Sequence, residues 1–263
     1  MDLGIEGKVA LVTGASSGLG LAIARELAAE GVCVAMVARR AEQLEELAAG
    51  ITAQSRRRAL PLPGDVTRRA DIERVTREAT ETLGPIDILV ANAGGPPSTT
   101  FATTADDQYA AAIELNLMSA IRLTRACVPG MRERQWGRVI FVASMAAKQP
   151  LPGLILSNTA RAGLLGFAKT LSLEVARDNV LVNSVLPGHF DTARAEELAR
   201  MRAAREGGSV EALLAQRAAS VPVGRLGEPP EFAAAVAFLA SERASFITGV
   251  ALQVDGGQIS SLL

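Results

Sequence analysis

Eight residues, Thr13-Gly14-Ala15-Ser16-Ser17-Gly18-Leu19-Gly20, have the types and spacing to hold a diphosphate. They follow the apolar run Val9-Ala10-Leu11-Val12 and open an amphipathic stretch over 21–29, which predicts a strand, a turn and a helix. Glycines at such a turn let the backbone bend sharply and approach an anion, whose charge then sits at the positive end of the helix. The spacing is G-x-x-x-G-x-G rather than the commoner G-x-G-x-x-G. An ordinary tight turn also uses glycines; the position directly after a strand points to a nucleotide. After the second apolar run comes Ala38-Arg39-Arg40. A site for an unphosphorylated ribose usually presents a carboxylate there, and this chain has none. Two guanidiniums suit a 2′-phosphate through charge-assisted contacts, so NADP(H) is the expected cofactor, against the reading of both as loop charges.

These residues need a scaffold that brings strand ends together. Apolar runs of strand length fall at 8–12, 32–37, 59–62, 86–90, 138–142, 181–185 and 250–254. Helical periodicity fills the gaps at 19–29, 41–53, 69–82, 105–127, 154–177 and 231–240. The alternation predicts one α/β domain over 1–263, a doubly wound, Rossmann-type parallel sheet of seven strands with helices on both faces. Ligands then belong beyond the carboxyl ends of the strands. Residues 193–220 break the alternation with an Ala/Arg/Glu-rich helical pattern and Gly207-Gly208, and read as a lid-like insert over the cleft.

Composition narrows the function classes. The net charge is −1, and no basic stripe interleaved with aromatics appears, so nucleic acid is not an expected partner. Arg56-Arg57-Arg58 reads as a solvated loop. Cys33 and Cys127 lie in apolar segments and read as small core residues of a reduced compartment. One histidine and two separated cysteines give no metal-ligand spacing. The first residues lack the basic start and apolar core of a signal peptide, and no uncharged stretch is long enough to span a bilayer. A cytoplasmic location, with no membrane partner, is the expectation.

The motifs together resemble the short-chain dehydrogenase/reductase family across essentially the whole chain. The matching pieces are 13–20, Asp65-Val66, Asn92-Ala93-Gly94, Asn116, Ser144, Pro187-Gly188 with Thr192, and Val254-Asp255-Gly256-Gly257. Val223-Gly224-Arg225-Leu226-Gly227-Glu228-Pro229 and Phe246-Ile247-Thr248-Gly249 look like the 3-oxoacyl-carrier-protein reductase branch. The resemblance implies hydride transfer between a nicotinamide and a carbonyl or alcohol carbon. It implies that Asp65 and Val66 border the adenine, that Asn92, Ala93 and Gly94 line the ribose side, and that Thr192 holds the carboxamide. Ser144 would hold the carbonyl oxygen and Asn116 would support a water relay.

The resemblance breaks at the proton donor. Family members place a tyrosine about thirteen residues after the serine and a lysine four residues later; here those positions are Ser157 and Arg161. A phenol near pKa ~10 can be drawn toward neutrality by a cation, whereas an aliphatic alcohol starts several units higher. Arg161 keeps a positive charge and could hold the ribose hydroxyls, but does not readily release a proton. Three substitutes are in view. Tyr109, seven residues before Asn116, reads as a packing aromatic on the same helical face. His189, two residues past Pro187-Gly188, could face the cleft and titrate near physiological pH, although a lone histidine is more often a packing residue. Lys148, four residues after Ser144, could reach the cleft or be a solvated loop charge.

Two readings stand. One is an oxidoreductase acting on a small ketone or 3-oxoacyl thioester with a non-standard proton donor. The other is an inactive NADP(H)-binding or regulatory homologue. Arg194, Arg200, Arg202 and Arg205 on the insert, with Arg132 and Arg134, could meet an acidic carrier or a coenzyme A thioester, or be solvated faces. Gly163, Gly166 and several alanines on the helix over 154–177 permit close contact, and the resemblance implies a homotetramer or homodimer through it.

Overall fold

Each apolar run becomes a strand in the computed structural model, which describes residues 2–262, without the side chains at 194, 202, 205 and 206. The strands are β1 (Val9–Thr13), β2 (Cys33–Ala38), β3 (Ala59–Pro63), β4 (Ile88–Ala91), β5 (Gly137–Val142), β6 (Val180–Pro187) and β7 (Ala251–Val254). All pair in parallel, in the order β3-β2-β1-β4-β5-β6-β7. The chain winds one way from β1 to β3, crosses back, and winds the other way from β4 to β7. This is a doubly wound, Rossmann-like single domain.

Parallel strands buried on both faces read as near-continuous apolar runs, and β1 is buried at all five positions. Ala10 and Val12 join one core with Val34, Met36 and the helices α1 (Gly18–Ala29), α2 (Ala41–Ser55) and α9 (Pro229–Leu239). Val9 and Leu11 point to the other core, under α3 (Arg69–Leu83), α5 (Ser119–Glu133) and α6 (Ile155–Val175). Cys127 sits in this second core, where burial pushes its thiol up to about 12. Cys33 is half-buried at the start of β2, and both cysteines are free.

The helix expected over 105–127 is three pieces: α4 (Asp106–Ile113), a π-helical turn (Glu114–Met118) and α5, which continues to Glu133. The periodicity places its end at Cys127, two residues before Pro129. Burial of Cys127, Val128 and Met131 against the sheet instead carries the helix through the proline. The π turn adds a residue to the helical circuit, so Tyr109 and Asn116 are not held in the phase of a straight helix. Tyr109 is half-buried rather than part of the core. The insert over 193–220 forms α7 (Ala193–Glu206) and α8 (Val210–Ala219), packed together across the Gly207-Gly208 turn. Among the described residues, no helix is long and apolar enough to cross a membrane.

Candidate active site

The strand order reverses between β1 and β4, and their carboxyl tips are stitched together by side chains. Thr13 Oγ1 donates to the Asn92 carbonyl at 2.7 Å and accepts from the Asn92 N–H at 2.9 Å. Asn92 Nδ2 donates back to the Thr13 carbonyl at 3.2 Å. Two glycines make this closeness possible. A Cβ at Gly14, which has φ 61°, would lie 2.6 Å from Asn92 Nδ2, and one at Gly20 would lie 2.2 Å from the Gly14 carbonyl oxygen. The turn therefore tolerates no side chain at either position.

A cleft of about 960 Å³ opens above these tips. Gly14, Ser16, Ser17, Gly18, Leu19 and Gly20 form one wall. Arg39 and Arg40 reach it from β2, Asp65 and Val66 from β3, Asn92, Ala93 and Gly94 from β4, and Pro187, Gly188 and Thr192 from β6. Arg39 and Arg40 are exposed, and among the described residues neither has an ion pair; Arg40 Nη2 lies 3.4 Å from Ser16 Oγ. The Asp65 carboxyl is held below its ordinary value by the Thr67 backbone N–H, and further by the Thr67 hydroxyl and the Arg39 and Arg68 charges. Thr192 caps α7 by accepting from the Ala195 N–H at 3.3 Å.

A second cavity, of about 920 Å³, shares Pro187, Gly188, Leu198 and Arg217 with the first. Ser144 and His189 both line it. Ser144 Oγ accepts from the Ala146 N–H at 3.1 Å, which fixes the oxygen and leaves its hydrogen free to donate. His189 is held by its backbone N–H, which donates to Gln258 Oε1 at 2.7 Å. Burial, and then the Arg217 charge, push the imidazole down to about 4. It is therefore neutral near pH 7 and does not titrate there, contrary to the expectation from its ordinary value.

Asn116, Ser157 and Arg161 lie one layer deeper. Each is at least nine-tenths buried. Residues 157, 160, 161 and 164 form the face of α6 turned into the protein, which carries Ser157 and Arg161 inward together. Arg161 Nη1 donates to Ser157 Oγ at 2.7 Å. Desolvation alone brings the guanidinium down to about 10, and no carboxylate pairs with it among the described residues. Neither residue lines either large cavity. Arg161 instead borders a void of about 10 Å³ with Thr13, Asn92, Ala93 and Asn116. Asn116 Nδ2 donates to the Gly94 carbonyl at 2.9 Å, while its Oδ1 is buried without a partner.

Lys148 and Tyr109 line neither cavity. Arg132 pairs with Asp178, Arg134 with Asp87, and Arg200 with Glu196. The side chains of Arg194, Arg202 and Arg205 lie outside the described residues. Sequence reasoning missed Arg217 and the hydroxyl wall of Ser98, Thr99 and Thr100. Only a charge on the insert marked the first, and nothing marked the second.

Residues 8–203 match the family model of the short chain dehydrogenases. The chain belongs to that family. It is 38% identical over 255 residues to the 3-oxoacyl-[acyl-carrier-protein] reductase of Salmonella typhimurium, covering 97% of this chain and 98% of that protein. Nodulation protein G of Rhizobium sp. (strain N33) is 36% identical over 253 residues, with 96% and 97% coverage. The L-sorbose reductase of Gluconobacter frateurii, solved with NADPH and L-sorbose, superposes with a TM-score of 0.95 at 39% identity over 100% of both chains. An actinorhodin polyketide ketoreductase solved with NADPH gives 0.92 at 35% identity, over 97% of this chain and 98% of that one. This short-chain dehydrogenase thus has reductases among its relatives in both sequence and structure.

Proposed function

We propose that this protein is an NADP(H)-dependent oxidoreductase that reduces the carbonyl of a small ketone or a 3-oxoacyl thioester, with a proton donor other than the family's tyrosine–lysine pair. The observation that carries the reading is the junction of the two cavities at Pro187-Gly188, between the glycine turn and Ser144. A diphosphate fits the first: the turn is too tight for any Cβ at Gly14 or Gly20, and it opens α1. Arg39 and Arg40, exposed at the end of β2 and in no ion pair among the described residues, are suited to the 2′-phosphate.

NADPH, when bound, supplies the hydride. The residues supply orientation and the proton path. Ser144 donates to the carbonyl oxygen and polarises it. Thr192 and Gly188 hold the nicotinamide end of the cleft. Arg161, buried behind the Asn92–Ala93 wall, would place a positive charge behind the ribose end of the cleft. Asn116 Oδ1 and Arg161 face a void about the size of one water, which suits a water-borne proton relay. His189 contributes a neutral N–H or lone pair and stores no proton near pH 7. The insert α7–α8 acts as the lid, since its Leu198 and Arg217 line both cavities.

One observation favours the second reading, an inactive binding or regulatory homologue. The Ser157 hydroxyl is taken up by Arg161 and withdrawn from both cavities. NADPH oxidation over a panel of ketones and 3-oxoacyl thioesters, with binding measured in parallel, separates the two. Turnover with any member supports the enzyme; tight binding with no turnover on the panel supports the regulator. Absence of NADPH binding defeats both. A homodimer or homotetramer is expected from the apolar surface at Leu173 on α6, at Phe246 and Val250 before β7 and at Leu252 within it, and a monomer by light scattering would contradict it.

A further inference from the structure

Among the described residues, Arg217 on α8 is the one formally charged side chain on the wall of the cavity that holds Ser144. Among the described residues, no carboxylate lines that wall. The remainder is uncharged at neutral pH: apolar side chains, the hydroxyls of Ser98, Thr99 and Thr100 on one segment, the Gln216 amide and the neutral His189 imidazole. Arg217 is half-buried, its Nε is buried without a hydrogen-bond partner, and no ion pair engages it among the described residues. Burial draws the guanidinium below its ordinary value. A buried guanidinium N–H with no acceptor is costly to hold, and an oxyanion answers both the charge and the fork of donors. The side chain also borders the cofactor cleft, so it stands where the two cavities meet rather than at an outer rim.

We propose that Arg217 anchors a carboxylate of the substrate, so that the carbonyl compound reduced here is a small oxo acid. The proposal rests on the reading of the Ser144 cavity as the substrate site. Hydroxyls from Ser98 to Thr100 then hydrogen-bond the remaining polar groups, and Ser144 takes the ketone oxygen. The carboxylate and Arg217 supply the charge-assisted contact that a neutral ketone lacks.

The test is the binding of 4-oxopentanoate and of its methyl ester, by calorimetry, to the protein alone and saturated with NADP+, in wild type, Arg217→Gln and Arg217→Lys. Wild type is expected to prefer the acid by about tenfold or more, the glutamine variant to lose that preference, and the lysine variant to keep part of it. His189 is the chain's only imidazole, so its magnetic resonance signal gives an independent readout in unsubstituted protein. The acid should raise its titration midpoint by neutralising the Arg217 charge, and the ester should not. Three results overturn the assignment: equal affinity of wild type for acid and ester; a preference that survives in Arg217→Gln; or an effect of that variant on NADP+ affinity alone, which makes Arg217 a coenzyme contact. Failure of NADP+ to bind wild type strikes the oxidoreductase reading instead, and the titrations without coenzyme still decide the role of Arg217. If Arg217→Gln does not fold, the wild-type preference and the imidazole signal decide it.

Discussion

Replacing His189 with glutamine should flatten part of the acid side of the stability profile. The imidazole has an unfolded value near 6.5 and a folded one of about 4, lowered first by burial and then by Arg217. Between those values the unfolded chain binds more protons than the folded one, so stability falls as pH falls. Each tenfold change in proton affinity is worth about 1.4 kcal/mol, which makes the full loss roughly 3 kcal/mol and the loss at pH 5 about 2 kcal/mol. Urea unfolding of wild type and His189→Gln from pH 8 to pH 5 measures the difference directly. The wild-type advantage should be constant above about pH 7.5 and shrink by about 2 kcal/mol at pH 5. Carboxylates titrate in both proteins and cancel in the comparison. A pH-independent difference, or an imidazole signal with a midpoint near 6.5, would refute the reasoning and return His189 to the group of proton donors usable near neutrality.

Replacing Arg39 and Arg40 together with alanine should weaken NADPH binding by roughly tenfold or more while leaving NADH binding nearly unaltered. Equal losses for both coenzymes in fluorescence titrations would show that neither guanidinium reads the 2′-phosphate. Restoring the family pair, Ser157→Tyr with Arg161→Lys, should raise or create reductase activity, at a cost of about 1–3 kcal/mol because position 157 is 6% exposed and must be repacked. A folded, coenzyme-binding variant with no gain in turnover argues against the account of the defect. Arg161→Met should leave stability unchanged or raise it by about 1 kcal/mol, since a buried guanidinium without a counter-charge is removed, while NADPH affinity drops. A stability loss above about 2 kcal/mol would mean that the Ser157 contact outweighs desolvation.

The glycine turn, the strand ends and the doubly wound order were legible because each has a local cause. Gly14 and Gly20 are required by backbone approach, and the apolar continuity of 9–13 or 33–38 follows from burial on both faces. Local signals failed where packing overrode them. The helix read as ending at Cys127 runs on through Pro129 to Glu133, and the extra residue in the Glu114–Met118 turn has no counterpart in an apolar periodicity. The ordinary titration value of histidine misled at 189 because nothing nearby in sequence announces the burial or the charge of Arg217, twenty-eight residues further on.

What the sequence determined by itself was the scaffold and the chemical types at its strand tips, since periodicity, turn glycines and paired arginines act over a few residues. What the tertiary structure decided was access. It drew Ser144 and His189 onto one cavity, turned Ser157 and Arg161 into the interior, and brought Arg217 from the insert to the point where both cavities meet. Burial and charge proximity depend on which helix faces which strand, and those are properties of the packed chain rather than of any short run of residues.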